Sequence, residues 1–376
     1  MLSWIEQATG IALVLLILLD VFLTVLYARI GAGIVGYRMA LAVWRGFRSV
    51  ARHFGKNRGA VLSFSGPVIL VLLVALWAFG LTLGTALVVH PHLGTAIRAA
   101  SGEPTPTNFI TALYGAAGSI SILGGSGLEP QTMPLRFYFL FNSLIGLSIL
   151  SLTLTYLMQV YSALLSRNAL GIKLWVMTRN TGDAAELVAR VGARGNFSAG
   201  YTNLSEVAGE IVQVKESHHF YPVLFYFRFR ETYYSASQIA LIALDSVSLM
   251  RSALDQDEFG WLQDSSALDG VWEGSFFLLT TLEGNFLKQG EVPPKPPDDV
   301  LAEKWRERYL AGVRRLQAAG IRTRQNLEAG AAQYINLRTK WHSHITNLAP
   351  AMLFRMDEID PALPDERRHL QLRKAS

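Results

Sequence analysis

The residues best able to do chemistry here offer backbone rather than side chain. Thr107 to Ile122 is an apolar, small-residue-rich run that ends in the string Leu123-Gly124-Gly125-Ser126-Gly127. A helix needs about 20 residues to cross a bilayer, so the run is too short to span. Irregular backbone at membrane depth survives only where protein buries it or where it lines a water-filled path. A half-helix entering a glycine turn therefore predicts a pore loop, with the negative end of the helix dipole aimed at the place where a cation would sit. An ordinary extracellular turn between two helices is the other reading of the same string.

Two side-chain groups stand beside it. Asp20 falls near the middle of an apolar span, where a carboxylate is costly and must face protein or water. A hydrogen bond to a neighbouring helix and a part in gating both fit that position. His218 and His219 adjoin Phe220, Tyr221, Phe225, Tyr226 and Phe227, which suits either a sensor that titrates near neutrality or a core with a polar edge. Other chemistries find no residues. Cysteine is absent, so disulfides and thiolate metal sites are excluded. There is no zinc spacing, Ser/His/Asp elbow, paired-carboxylate signature or phosphate loop. Gly31-Ala32-Gly33-Ile34-Val35-Gly36 fits G-x-G-x-x-G by letters, yet it follows a membrane span rather than a strand. No enzyme activity, cofactor or metal is expected.

These groups must be positioned by membrane helices. The chain has 376 residues, 51% hydrophobic and 17% charged, with a mean hydropathy of +0.27. That balance is too apolar for a typical soluble chain. Three stretches are long enough to span: Gly10 to Ile30, Val61 to His90, and Met133 to Leu165. Met1 to Gly10 carries only Glu6 as a charge, and Arg29 follows the first run without a small-residue cleavage motif, which predicts an uncleaved anchor. Arg29, Arg38, Arg45, Arg48, Arg52, Lys56 and Arg58 crowd between the first two spans, with no acidic residue from Arg29 to Ala60. Lys and Arg near span ends mark the cytoplasmic side, and Arg167, Lys173 and Arg179 after the third span agree. The predicted protein is multi-pass in the cell (plasma or inner) membrane, N-terminus outside and C-terminus cytoplasmic. Within the basic segment, residues 29–58, Val43, Trp44, Phe47, Val50, Ala51 and Phe54 recur at helical spacing. They predict an amphipathic interfacial helix with anionic lipid as its partner, or else a solvated basic linker. Because the positive charge gathers beside spans, nucleic acid is not an expected partner.

Phe109-Ile110-Thr111-Ala112-Leu113-Tyr114, the glycine string, and then Pro130, Thr132 and Arg136 resemble the two-span potassium-channel pore module, in the order outer helix, pore helix, filter, inner helix. The resemblance covers about Val61 to Leu165, and Asp20-Val21-Phe22-Leu23-Thr24-Val25-Leu26 is similar to the first span of some bacterial channel-like proteins. Without a gap, Ile122-Leu123-Gly124-Gly125-Ser126-Gly127 falls on the family's T-V-G-Y-G-D, and Gly146 falls on its gating glycine. With a one-residue insertion, Gly125-Ser126-Gly127 falls on G-Y-G instead. The resemblance implies a homotetramer in which rings of four carbonyls replace the hydration shell of a monovalent cation, K+, with two glycines permitting alternating backbone dihedrals. The chain departs from that pattern at named places. Ile122 lacks the Thr hydroxyl, Gly125 the bracing Tyr ring, Ser126 puts a Cβ where glycine is wanted, and Gly127 removes the outer carboxylate. Gly146 fits a hinge or close helix packing equally well.

From Asn168 on, charge returns. Asp183 to Val191, Leu204 to Val214, Ala236 to Leu254 and Trp272 to Leu287 carry apolar residues at spacings of three and four, which predicts amphipathic helices. Ser235 to Leu254 is apolar enough to raise a fourth span, while Asp245, Arg251 and its length point to a buried core helix. The linker Gly290 to Asp299, with Pro293, Pro294, Pro296 and Pro297, sets off a charged helical pair, Val300 to Ala318 and Ile321 to Leu348, as an oligomer contact or a solvated appendage. The expected whole is an all-α membrane protein. Residues 1–60 form a span and an interfacial helix, 61–168 a pore domain with a re-entrant helix and filter loop, 169–290 a cytosolic helical domain, and 291–376 a linker and C-terminal helices. The expected function is a tetrameric cation-channel subunit regulated by its cytosolic domain; the alternative is a non-conducting channel-like sensor or scaffold.

Overall fold

A computed structural model describes residues 2–27, 33–54, 58–121, 124–125, 127–287 and 293–360. Three helices among the described residues are long and apolar enough to cross a membrane: Ser3–Leu26, Arg58–His92 and Met133–Met177. In chain order, α1 (Leu2–Val21) widens into a π turn over Phe22–Leu26, and α2 (Val35–Ala51) carries the basic amphipathic pattern. Then come α3 (Arg58–Ser63) and α4 (Ser65–Val89), with Pro67 in the first turn of α4, where a missing N–H is tolerated. The short α5 (Phe109–Ile120) lies between two strands, β1 (Ile97–Ala99) and β2 (Leu128–Pro130), that pair antiparallel. Helix α6 (Met133–Met177) is a single element that continues past the predicted span end at Leu165.

The chain divides into two compact units, residues 1–47 with 65–161, and residues 48–64 with 162–376. In the first, α1 and α4 run antiparallel in contact along their length. Glycine makes this possible: a Cβ on Gly10 would lie 2.6 Å from the Gly84 carbonyl oxygen, and one on Gly80 2.7 Å from Ile17. Gly80-x-x-x-Gly84 thus brings two backbones together, as small residues do where lipid is as apolar as the side chains. Helix α5 lies on α4, its Ala112 and Ala116 in one buried cluster with Ala86, Val89, Leu93 and Ile97.

The second unit is helical, built from α7 (Ala184–Val191), α8 (Ser198–Phe220), α9 (Ala236–Ala253), α10 (Gln256–Gln263), α11 (Ser266–Phe286), α12 (Asp299–Ala318), α13 (Leu327–Ala351) and α14 (Met356–Ile359). Side-chain caps start most of them: Asp183, Ser235, Asp255, Ser265, Asp298 and Asn326 each accept from a first-turn N–H. Helix α9 is the centre, with every residue except Arg251 buried beneath α7, α11, α12 and α13. It is a core helix and not a fourth span, because protein covers it on all sides. Helices α12 and α13 differ from the appendage expected of a charged pair. One arginine from each, Arg308 and Arg338, faces inward to Asp245 of α9, so the pair shares the core. Helix α13 also starts later than Ile321, because the preceding stretch is extended: Thr323 bridges Leu254, and the Arg324 N–H donates to the Ala253 carbonyl at 2.8 Å.

Candidate functional site

Helix α5 begins where Asn108 accepts from the Thr111 N–H at 2.8 Å, and it ends at Ser121, whose backbone turns extended. Its 12 residues reach about 18 Å, against about 30 Å of hydrocarbon. Beyond it, Gly124 and Gly125 both hold positive φ, +62° and +88°, and Gly127 does so at +62°. A Cβ on any of the three would meet nothing within 4 Å, so backbone conformation and not space is what asks for glycine. Gly124 and Gly125 turn left-handed in succession rather than in alternation. The Gly127 carbonyl accepts from the Ala100 N–H at 2.7 Å, which extends the β1–β2 pairing to the end of the glycine string. Ile122, Leu123 and Ser126 lie outside the described residues.

Gly146 sits where α6 passes the end of α5. A Cβ there would come within 2.0 Å of the Ile120 carbonyl oxygen, far inside contact distance. Ser143 adds a hydrogen bond to the Ser119 carbonyl at 2.8 Å, and the Asn142 amide donates to the Ser119 hydroxyl at 3.4 Å. Close backbone approach therefore explains this glycine. α6 holds the last turn of the half-helix in place.

Asp20 is fully buried and faces protein. Its carboxylate accepts from the Val35 N–H at 2.8 Å, the Gly36 N–H at 3.3 Å and the Trp77 indole at 2.9 Å. Val35 and Gly36 open α2, so Asp20 satisfies the orphan donors and positive end of a helix from across the chain. Glycines line the carboxylate because nothing larger fits: a Cβ on Gly33 would lie 2.7 Å from the Thr24 hydroxyl, and one on Gly36 2.7 Å from Leu73. Gly33 and Gly36, two of the glycines that spell a nucleotide fingerprint by letters, are thus the floor of an aspartate site. Sequence reasoning missed this, and it also missed the polar pairs at the other end of α1. There Glu6 meets His90 at 2.7 Å, and Gln7 meets His92 at 3.0 Å.

The second unit holds two further groups. Arg167, expected on the cytoplasmic side, is buried and donates to the Leu224 and Phe227 carbonyls at 3.0 and 2.9 Å. His218 is fully buried, and burial followed by the nearby Arg167 pushes its imidazole down to about 3. It stays neutral across the physiological range, so it forms core rather than a near-neutral sensor. Asp245 accepts from the Tyr334 hydroxyl at 2.5 Å and from Arg338 at 2.7 Å, and it lies 3.3 Å from Arg308. Asp360 completes the network, meeting Arg308 and, at 2.6 Å, Arg338, whose guanidinium also packs on the Trp305 and Trp341 rings.

No family model and no solved structure matches the chain. An uncharacterized membrane protein of Bacillus subtilis (strain 168), YdjJ, is 22% identical over 291 residues, covering 77% of this chain and 81% of the relative. With the three apolar helices, this places the chain in a class: it is a helical membrane protein. The potassium-channel resemblance gains no match from these comparisons and rests on the residues quoted for it.

Proposed function

We propose that this protein is one subunit of a homotetrameric, potassium-like cation channel with an altered filter, regulated by its helical second unit. The observation that carries the reading is α5, a capped half-helix too short to span, held by α4 and α6 and followed by left-handed glycines. With the Gly127 carbonyl already taken by Ala100, the carbonyls proposed to form the filter are those of Leu123 to Ser126. One such loop per chain lines a path only when several copies surround it, and the resemblance sets the number at four. In this arrangement the N-terminus is outside the cell membrane, the second unit is cytoplasmic, and the basic segment 29–58 rests on anionic lipid. Gly146 serves as the contact that fixes the half-helix. Cross-linking and native mass measurement in mild detergent test the assembly: a four-copy species is expected, and monomers and dimers alone would contradict it.

A second reading has its own observation. The successive left-handed glycines and the altered residues at Ile122, Gly125 and Ser126 depart from a potassium filter and suit a non-conducting sensor or scaffold. Restoring Thr, Tyr and Gly at those three positions separates the two. Current gained where the natural chain has none favours the sensor; robust current from the natural chain ends that reading.

A further inference from the structure

We propose that Arg58 and Arg228 form a binding site for a phosphate-ester anion, supplied by the headgroup of an acidic lipid. The site begins at the end of α13. Leu353 adopts a left-handed backbone, φ +60°, and the Phe354 N–H donates back to the Ala349 carbonyl at 2.8 Å, closing the helix. The Leu353 carbonyl then accepts from two guanidinium groups at once, Arg58 and, at 3.2 Å, Arg228. Arg228 is 5% exposed, yet its Nε has no partner, and its remaining contacts are the Phe229 carbonyl at 3.2 Å and the Phe354 ring at 4.1 Å.

Two cations thus share one neutral oxygen. Among the described residues neither makes an ion pair, and the carboxylate with most influence on Arg228, Glu358, is engaged by the Arg355 N–H at 2.9 Å. Burial, and then Arg58 itself, push the Arg228 guanidinium down to about 10, against a smaller upward pull from Glu358. Helix-end carbonyls supply only about half a unit of negative charge. A phosphate oxygen pair meets what is left, since guanidinium forks suit it bidentately.

The source follows from position. Arg58 is the first residue of the candidate span Arg58–His92, and Phe64 nearby in sequence is 64% exposed. Cations and exposed rings at a span end are where lipid phosphates lie. The site depends on membrane placement and not on conduction, so failure of the channel reading leaves it standing.

The test uses the full chain in neutral detergent, titrated separately with dioleoylphosphatidylglycerol, dioleoylphosphatidylcholine and inorganic phosphate. Bound species are counted by native mass spectrometry, and thermal shift is followed by tryptophan fluorescence. Phosphatidylglycerol should bind and raise Tm, with Arg58→Gln weakening binding about tenfold, the worth of one charge-assisted hydrogen bond. Arg228→Lys, which keeps charge but not the fork, should weaken it less. Arg314→Gln, on the exposed face of α12, should leave it unchanged. Equal binding of both lipids, or equal losses in Arg58→Gln and Arg314→Gln, would overturn the site. Phosphate binding with the same Arg58 dependence, but no phosphatidylglycerol binding, would keep the anion site and overturn the lipid source.

Discussion

Asp20 in the first unit and Asp245 in the second are both buried carboxylates on long apolar helices, and their surroundings satisfy them by opposite means. Among the described residues, Asp20 meets neutral donors, two backbone N–H groups and an indole. Asp245 meets Arg338, Arg308 and a tyrosine hydroxyl. In a span, a permanent cation beside the carboxylate would itself have to be kept from lipid, so dipoles do the work. In the helical unit, α12 and α13 deliver arginines whose charge is answered again by Asp360. Asp20 is therefore a clamp that joins α1, α2 and α4, whereas Asp245 is the centre of an ion network that joins α9, α12 and α13 to the last described residue.

The largest way to break this contrast is Asp245→Leu. It strands two buried arginines with one remaining carboxylate, and removing one partner of a buried pair costs about 3–5 kcal/mol. Denaturant unfolding of the full chain in detergent should show that loss; a change below about 1 kcal/mol would remove the network from the account. Gly146→Leu comes next, because its side chain must displace the Ile120 carbonyl. Overpacking of this kind costs about 1–3 kcal/mol, and tetramer yield should fall with it. A freely moving hinge would tolerate the change in stability.

Acid probes the second unit in two windows. His218 is held neutral in the fold down to about 3, against an ordinary 6.5, so the unfolded chain gains protons first and stability falls as pH drops below about 6.5. His218→Leu should flatten that slope. Although burial alone would raise it, Asp360 is held down to about 2 by Arg308 and Arg338. Its contribution is present above its ordinary value near 3.8 and is lost as pH falls toward 2, roughly 2 kcal/mol in all. Stability measured from pH 7 to 2 by circular dichroism checks both signs. The smallest effect is expected for Asp20→Asn, which keeps an acceptor but turns an amide toward three donors. A loss of about 1 kcal/mol with ion flux unchanged supports the clamp; lost voltage or ligand response at normal stability would return Asp20 to gating.

Much of the fold was legible because periodicity and run length are local. The spans, the short helix α5 and the buried α9 could all be read from neighbouring residues, though α5 is shorter at both ends than the run Thr107 to Ile122, starting after its Asn108 cap and stopping at Ile120. The site was less legible because its partners are distant in sequence. Asp20 finds donors 15 and 57 positions away, and Asp245 meets Arg338 across 93. Gly33 and Gly36 make sense only once Asp20 stands over them. Gly146 looked equally like a hinge or a contact until the Ile120 carbonyl was seen beside it. The pairing of the Ala100 N–H with the Gly127 carbonyl left no trace in composition.

Ion flux from proteoliposomes holding the full-length protein, under potassium or sodium gradients and beside protein-free vesicles, tests the central claim most directly. The account predicts potassium flux above both the sodium and the protein-free rates. No flux above protein-free vesicles would contradict it and leave the non-conducting sensor as the better description.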